Sequence, residues 1–198
     1  MTLPEAGRDR CHSGLVAPHT LMFIRHGEKP ADHGTPRGVD RHGQEDAHSL
    51  SVQGWTRAGA LAALFDHAQA RGSAGVVRPG RVMATQPTPG YRSTRERDTA
   101  APTAARLGLE VDDRFSHQQG DEAAAALLAD DADALVVWHH GSLPGLLARF
   151  PLADPSTIPA SWPEDRFDLI WSLTDDGSGR YAFTVIPQDL MAGDSPTA

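Results

Sequence analysis

The reading of the chain turns on Thr20-Leu21-Met22-Phe23-Ile24-Arg25-His26-Gly27. A short apolar run stops abruptly at an arginine, a histidine and a glycine, as a strand buried on both faces does where it leaves a parallel sheet. Ala134-Leu135-Val136-Val137-Trp138 repeats the pattern and runs into His139-His140-Gly141. Val82-Met83-Ala84-Thr85 reads as a further strand, followed by a Pro/Gly loop through Gly90. In open α/β sheets ligands bind beyond the carboxyl ends of the strands. Two strands that end in histidine therefore mark one sheet edge as the place to look for chemistry.

Helical segments alternate with these strands. From Val52 to Ala70 apolar residues recur at Trp55, Ala58, Leu61, Ala62, Leu64 and Phe65, with Gly72 and Gly75 beyond. Ser93 to Leu107 reads as a second helix that contains Pro102 and stops at Gly108. Asp121 to Ala129 is alanine-rich with acids at its start, where the helix dipole favours them. Ser142 to Phe150 has Pro144 in its first turn. Glu28 to His48 is too punctuated by glycine and proline for regular structure. Phe167–Leu173 and Tyr181–Ile186 flank Asp175-Asp176-Gly177 and predict a hairpin. The alternation predicts an α/β chain: a three-layer α/β/α sandwich with a mostly parallel central sheet and a C-terminal antiparallel hairpin.

Composition narrows the function. The 198 residues carry 18 basic and 26 acidic side chains, a formal charge of −8, which argues against a nucleic-acid partner. No apolar run approaches the roughly 18 residues that would span a bilayer, so no membrane role is expected. Seventeen of the 18 basic residues are arginine and Lys29 is the only lysine, a bias that matches a background rich in Ala, Gly and Pro. Cys11 is the only cysteine, so neither a disulfide framework nor a cysteine zinc site is expected. Residues 1–19 lack the apolar core of a secretory signal and read as a flexible leader of a cytoplasmic protein, with one domain over 20–198.

Three more segments follow along the chain: Leu50-Ser51-Val52-Gln53-Gly54-Trp55-Thr56-Arg57-Ala58, Arg95-Glu96-Arg97-Asp98-Thr99-Ala100, and the Val136-to-Gly141 strand end. Taken in order with Arg25-His26-Gly27, they resemble the histidine phosphatase superfamily, the phosphoglycerate mutase-like proteins. That family has an R-H-G strand end, an L-x-x-x-G-x-x-R-A helix, an R-x-x-x-T-A helix and a hydrophobic strand closing in H-G. The resemblance runs from about Leu21 to Leu147.

The resemblance implies roles residue by residue. His26 matches the nucleophile that becomes a phosphohistidine. Arg25 and Arg95 match the phosphate-binding arginines, and His140, followed by Gly141, matches the second histidine at the phosphoryl oxygens. It implies no cofactor and no metal, because fixed cations take the place of a divalent ion. A leaving alcohol needs a proton, and the carboxylates in view are Glu122, then Asp121, then Glu28. Some members carry aspartate directly after the second histidine, where this chain has Gly141.

The expected activity is metal-independent hydrolysis of a phosphomonoester, on a small phosphorylated substrate or a phosphoprotein. Phosphoglycerate mutase-type phosphotransfer and a non-catalytic phospho-ligand binding module are the alternatives. His33, His42 and His48, with Asp32, Asp40, Glu45 and Asp46, have no metal-ligand spacing and read as a solvated flap over the site. Tyr91 and Arg92 follow the Pro/Gly loop, where they either touch the expected substrate or form a surface turn. Trp162, Pro163 and Asp165 read as packing and turn residues.

Overall fold

β1 (Thr20–Ile24) is buried along its whole length and lies inside a six-stranded sheet. The sheet belongs to a computed structural model that describes residues 19–68, 75–175 and 177–198. Beside β1, in parallel, runs β6 (Ala134–Val137), with Ile24 opposite Val137. Next come β4 (Arg81–Ala84) and the two-residue edge strand β5 (Val111–Asp112), both parallel. On the other side β7 (Leu169–Asp175) pairs antiparallel with β1, and β8 (Tyr181–Pro187) with β7. The sheet order is β5-β4-β6-β1-β7-β8. The three-layer, mostly parallel sheet with its C-terminal hairpin is therefore present.

Alternation along the strands feeds two cores. Leu21, Phe23, Met83, Val136 and Trp138 face α3 (Gly120–Leu128) and α4 (Leu143–Leu147), together with Trp162 and Trp171. Met22, Ile24, Val82, Ala84, Leu135 and Val137 face α1 (Val52–Asp66) and α2 (Arg95–Leu107). Ser51 caps α1 by accepting from the Gly54 amide at 3.1 Å. α2 runs through Pro102 and ends at Gly108, whose φ of 70° is the left-handed geometry of a helix stop.

Some boundaries differ from the sequence reading. The strand expected from Phe167 begins at Leu169, because Phe167 turns towards Arg25 instead. The helix expected from Ser142 is preceded by a single tight turn over His140–Ser142. Within the stretch expected to be irregular, Gly38–Val39 (β2) pairs antiparallel with Leu50–Ser51 (β3) just beyond it. Residues 1–18 of the expected leader, residues 69–70 of the first expected helix, and Gly72 lie outside the described residues. His19 is buried, and its Nε2 lies 2.8 Å from the Tyr181 hydroxyl.

Candidate active site

Parallel register brings three strand ends to one edge. The Trp138 amide donates to the Ile24 carbonyl at 2.9 Å, and the Thr85 amide to the Val137 carbonyl at 3.2 Å. Arg25-His26, His139-His140 and the loop that carries Tyr91 therefore leave the sheet side by side.

His26 is buried at the centre of this edge. Its Nδ1 lies 2.6 Å from the Gly27 carbonyl oxygen, which can only accept, so Nδ1 carries the proton and Nε2 the free lone pair. Burial lowers the pKa of the ring to about 3, and the nearby charges of Arg25, Arg95 and His140 push in the same direction. The ring is thus a neutral base in a cationic surrounding.

Arg25 is held from behind. One guanidinium nitrogen donates to the Glu164 carbonyl at 2.6 Å, and the guanidinium lies 4.1 Å from the centre of the Phe167 ring. Burial lowers its pKa to about 10, which leaves it charged at neutral pH. Its Nε is buried with no partner among the described residues. Arg95, at the start of α2, donates to the Ser49 and Ala47 carbonyls at 3.2 and 3.1 Å, so the flap fixes its position. The His140 ring stands 6.2 Å from that of His26, nearly perpendicular to it. Burial and Arg25 lower its pKa to about 4. Arg25, His26, Arg95 and His140 are thus brought together.

The expected proton donors are placed differently. Asp121 is exposed and paired with Arg149 at 2.7 Å, and Glu122 is exposed beside it at the start of α3. Neither is hydrogen-bonded to His26, His140, Arg25 or Arg95 among the described residues. Glu28 lies two residues after His26, but its Oε1 accepts from Arg57 at 2.7 and 2.9 Å. Arg57 also reaches Asp194 at 2.7 Å and Gln188 at 3.0 Å, so it clasps the His26 loop to the C-terminal segment. These pairings raise the pKa of Arg57 despite its burial.

The remaining motif residues have local tasks. Thr99 accepts from the Gly27 amide at 2.9 Å and donates to the Arg95 carbonyl at 2.7 Å, linking the His26 loop to Arg95. Gly54 lies against the backbone of Glu28, where a Cβ would come within 2.5 Å of the Glu28 carbonyl oxygen. Among the described residues no three His, Cys, Asp or Glu side chains are arranged to hold a metal ion.

Of three further side chains here, Tyr91 stood out in the sequence, while His139 was set aside for His140 and His117 went unnamed. Tyr91, His117 and His139 form a triangle of rings with centroids 4.7 to 4.9 Å apart, and the His139 ring lies 5.0 Å from that of His140. Behind them Glu96, fully buried, accepts from the Tyr91 hydroxyl at 2.8 Å and from Ser93 at 3.0 Å. Burial raises the Glu96 pKa. For His139 the available signal was its place beside His140; His117 offered none, since it lies in an irregular loop.

No family model and no curated protein sequence matches the chain. Solved structures do. The chain is similar to the protein histidine phosphatase SixA complexed with tungstate, at 18% identity over 85% of this chain and 97% of that one, with a TM-score of 0.56. It is also similar to a mycobacterial hydrolase, hydrolase 2, at 18% identity, 88% and 93% coverage and a TM-score of 0.54. Mycobacterial glucosyl-3-phosphoglycerate phosphatase with inorganic phosphate matches at 16% identity, 84% and 95% coverage and a TM-score of 0.54. At these identities the similarity is one of fold.

Proposed function

We propose that this chain, which has the histidine phosphatase fold, hydrolyses a phosphomonoester through a phosphohistidine formed on His26. One observation carries the reading. The Nδ1 proton of His26 is committed to the Gly27 carbonyl, so Nε2 is a neutral nucleophile with Arg25, Arg95 and His140 around it.

Phosphoryl transfer calls mainly for alignment and charge neutralisation. Nε2 forms a bond to phosphorus as the ester P–O bond breaks, and the leaving oxygen takes up a proton. Water then attacks phosphorus and the P–N bond breaks, releasing inorganic phosphate and restoring neutral His26. Arg25 and Arg95 are permanent cations with fixed backbones, suited to the equatorial oxygens, and His140 lies across from the nucleophile. The two guanidinium groups supply the positive charge that the transferring group needs, so the reading requires no divalent ion.

Rapid quenching in alkaline detergent after mixing with 32P-labelled 4-nitrophenyl phosphate tests this. The label is expected on the wild type as an acid-labile adduct, absent from His26→Ala, and unaffected by chelator. A chain that binds phosphate but never takes the label is a phospho-ligand binding module, and the hydrolase reading is then wrong.

A further inference from the structure

We propose that His139, packed against His117 and Tyr91, is the group that delivers a proton to the leaving oxygen and takes one back from water. The assignment rests on the phosphatase reading and names a residue that it leaves open.

Expelling an alkoxide needs a proton donor at the site. Three of the carboxylates near the sheet edge are engaged elsewhere, while Glu164 and Asp165 flank Arg25. Glu28 is bound by Arg57, Glu96 is sealed behind Tyr91 and Ser93, and Asp121 is paired with Arg149. Glu122 is exposed at the start of α3. His139 instead is half-buried, directly adjoins His140 and opens onto the same edge as His26.

Its position is built. A Cβ on Gly141 would stand 2.9 Å from the His139 Cε1, so the imidazole lies across the turn in space that a side chain at 141 would fill. Tyr91 meets the ring edge-on at 4.9 Å, and the Tyr91 hydroxyl is itself anchored to Glu96. The His139 Nδ1 is buried with no partner among the described residues, as is the Nδ1 of His117. The groups facing His139 are His140 from its own turn, His117 from the loop before α3, Tyr91 from the loop after β4 and Arg25 from β1. Burial first, then His140, His117 and Arg25, lowers its pKa to about 4, so the free ring is neutral at neutral pH; a phosphomonoester that binds as its monoanion supplies the proton, which passes to His139 and is given up readily. In the first half-reaction the ester P–O bond breaks and the oxygen takes the proton of His139. In the second, neutral His139 takes a proton from the attacking water as the P–N bond breaks, and inorganic phosphate carries that proton away as its monoanion, which returns the ring to its neutral starting state.

The test compares two substrates. 4-Nitrophenyl phosphate releases a phenolate that leaves without a proton, whereas glycerol phosphate does not. His139→Gln is expected to slow the alkyl ester by about a hundredfold or more, the usual worth of a general acid, and the nitrophenyl ester far less. His139→Asn, and circular dichroism on both variants, guards against a folding defect, which would slow both esters alike. An unchanged ratio of the two rates overturns the assignment. So does a ratio shift that appears in Glu122→Gln, Asp121→Asn or Glu28→Gln but not in the His139 variants. If the wild type neither turns over the nitrophenyl ester nor labels His26, the phosphatase reading itself fails, and this assignment with it.

Discussion

Gly27 and Gly54 lie backbone to backbone, so close that a Cβ on Gly27 would stand 2.8 Å from the Gly54 carbonyl oxygen. The first residue follows His26 and the second lies in the first turn of α1. The contact locks the His26 loop onto a helix end, and neither position tolerates a side chain.

Gly54→Ala therefore tests sign as well as size. In an ordinary helix the change stabilises, by up to about 1 kcal/mol. Here the new Cβ meets the Glu28 carbonyl oxygen at 2.5 Å, and overpacking of this kind costs about 1–3 kcal/mol. Gly59, in the same helix, has nothing within 4 Å of its virtual Cβ. Gly59→Ala should raise the unfolding midpoint in urea while Gly54→Ala lowers both the midpoint and turnover. Equal shifts in the two variants would show that the contact has no consequence.

Removing Arg57 should be among the most damaging single changes. Its side chain and that of Asp194 are each only 4% exposed, and Glu28 completes the network. Arg57→Met leaves two buried carboxylates without their cation, a loss of about 3–5 kcal/mol. The double variant Arg57→Met/Asp194→Asn should recover part of it in a double-mutant cycle of urea unfolding. Strict additivity would mean that the two residues do not interact.

The histidines set a pH window for stability. His26, His139 and His140 have folded pKa values of about 3, 4 and 4, against 6.5 in the unfolded chain. Between those values the unfolded chain binds more protons, so stability is full above about pH 6.5 and falls as the pH drops towards 4. Desolvation, first among the causes, sets the direction in all three. Thermal unfolding followed from about pH 7 to about pH 5 should show the decline, and millimolar phosphate should reduce it by favouring the protonated rings. A flat profile across that window would contradict the burial of these rings. Aspartates such as Asp112, lowered to about 2 by Arg114 and Arg81, titrate below it.

Much of this was legible because the determinants are local. Thr20–Ile24 could be read as a strand residue for residue, since burial on both faces leaves an uninterrupted apolar run. Gly108 gave the end of α2 for a similar reason, as left-handed backbone strongly favours glycine. β5 escaped notice because two residues show no period. The ring triangle escaped because His117 and His139 stand 22 positions apart and meet only once α3 has carried the chain from β5 to β6. The acids went the same way. Asp121 and Glu122 have the signature of a helix start, and sequence spacing does not reveal that Arg149 lies opposite Asp121. Glu28 looked available until α1 placed Arg57 on it.

The imidazole of His139 and any side chain at 141 contend for a single volume. Substitution at the two sites is therefore ordered in time. A lineage that exchanges Gly141 for a larger residue must first, or at once, shrink residue 139 or turn its ring out of the way, and the reverse path favours restoring glycine before histidine returns to this position. Among descendants and cousins of this chain the two positions should vary as a coupled pair, each state closing off the other.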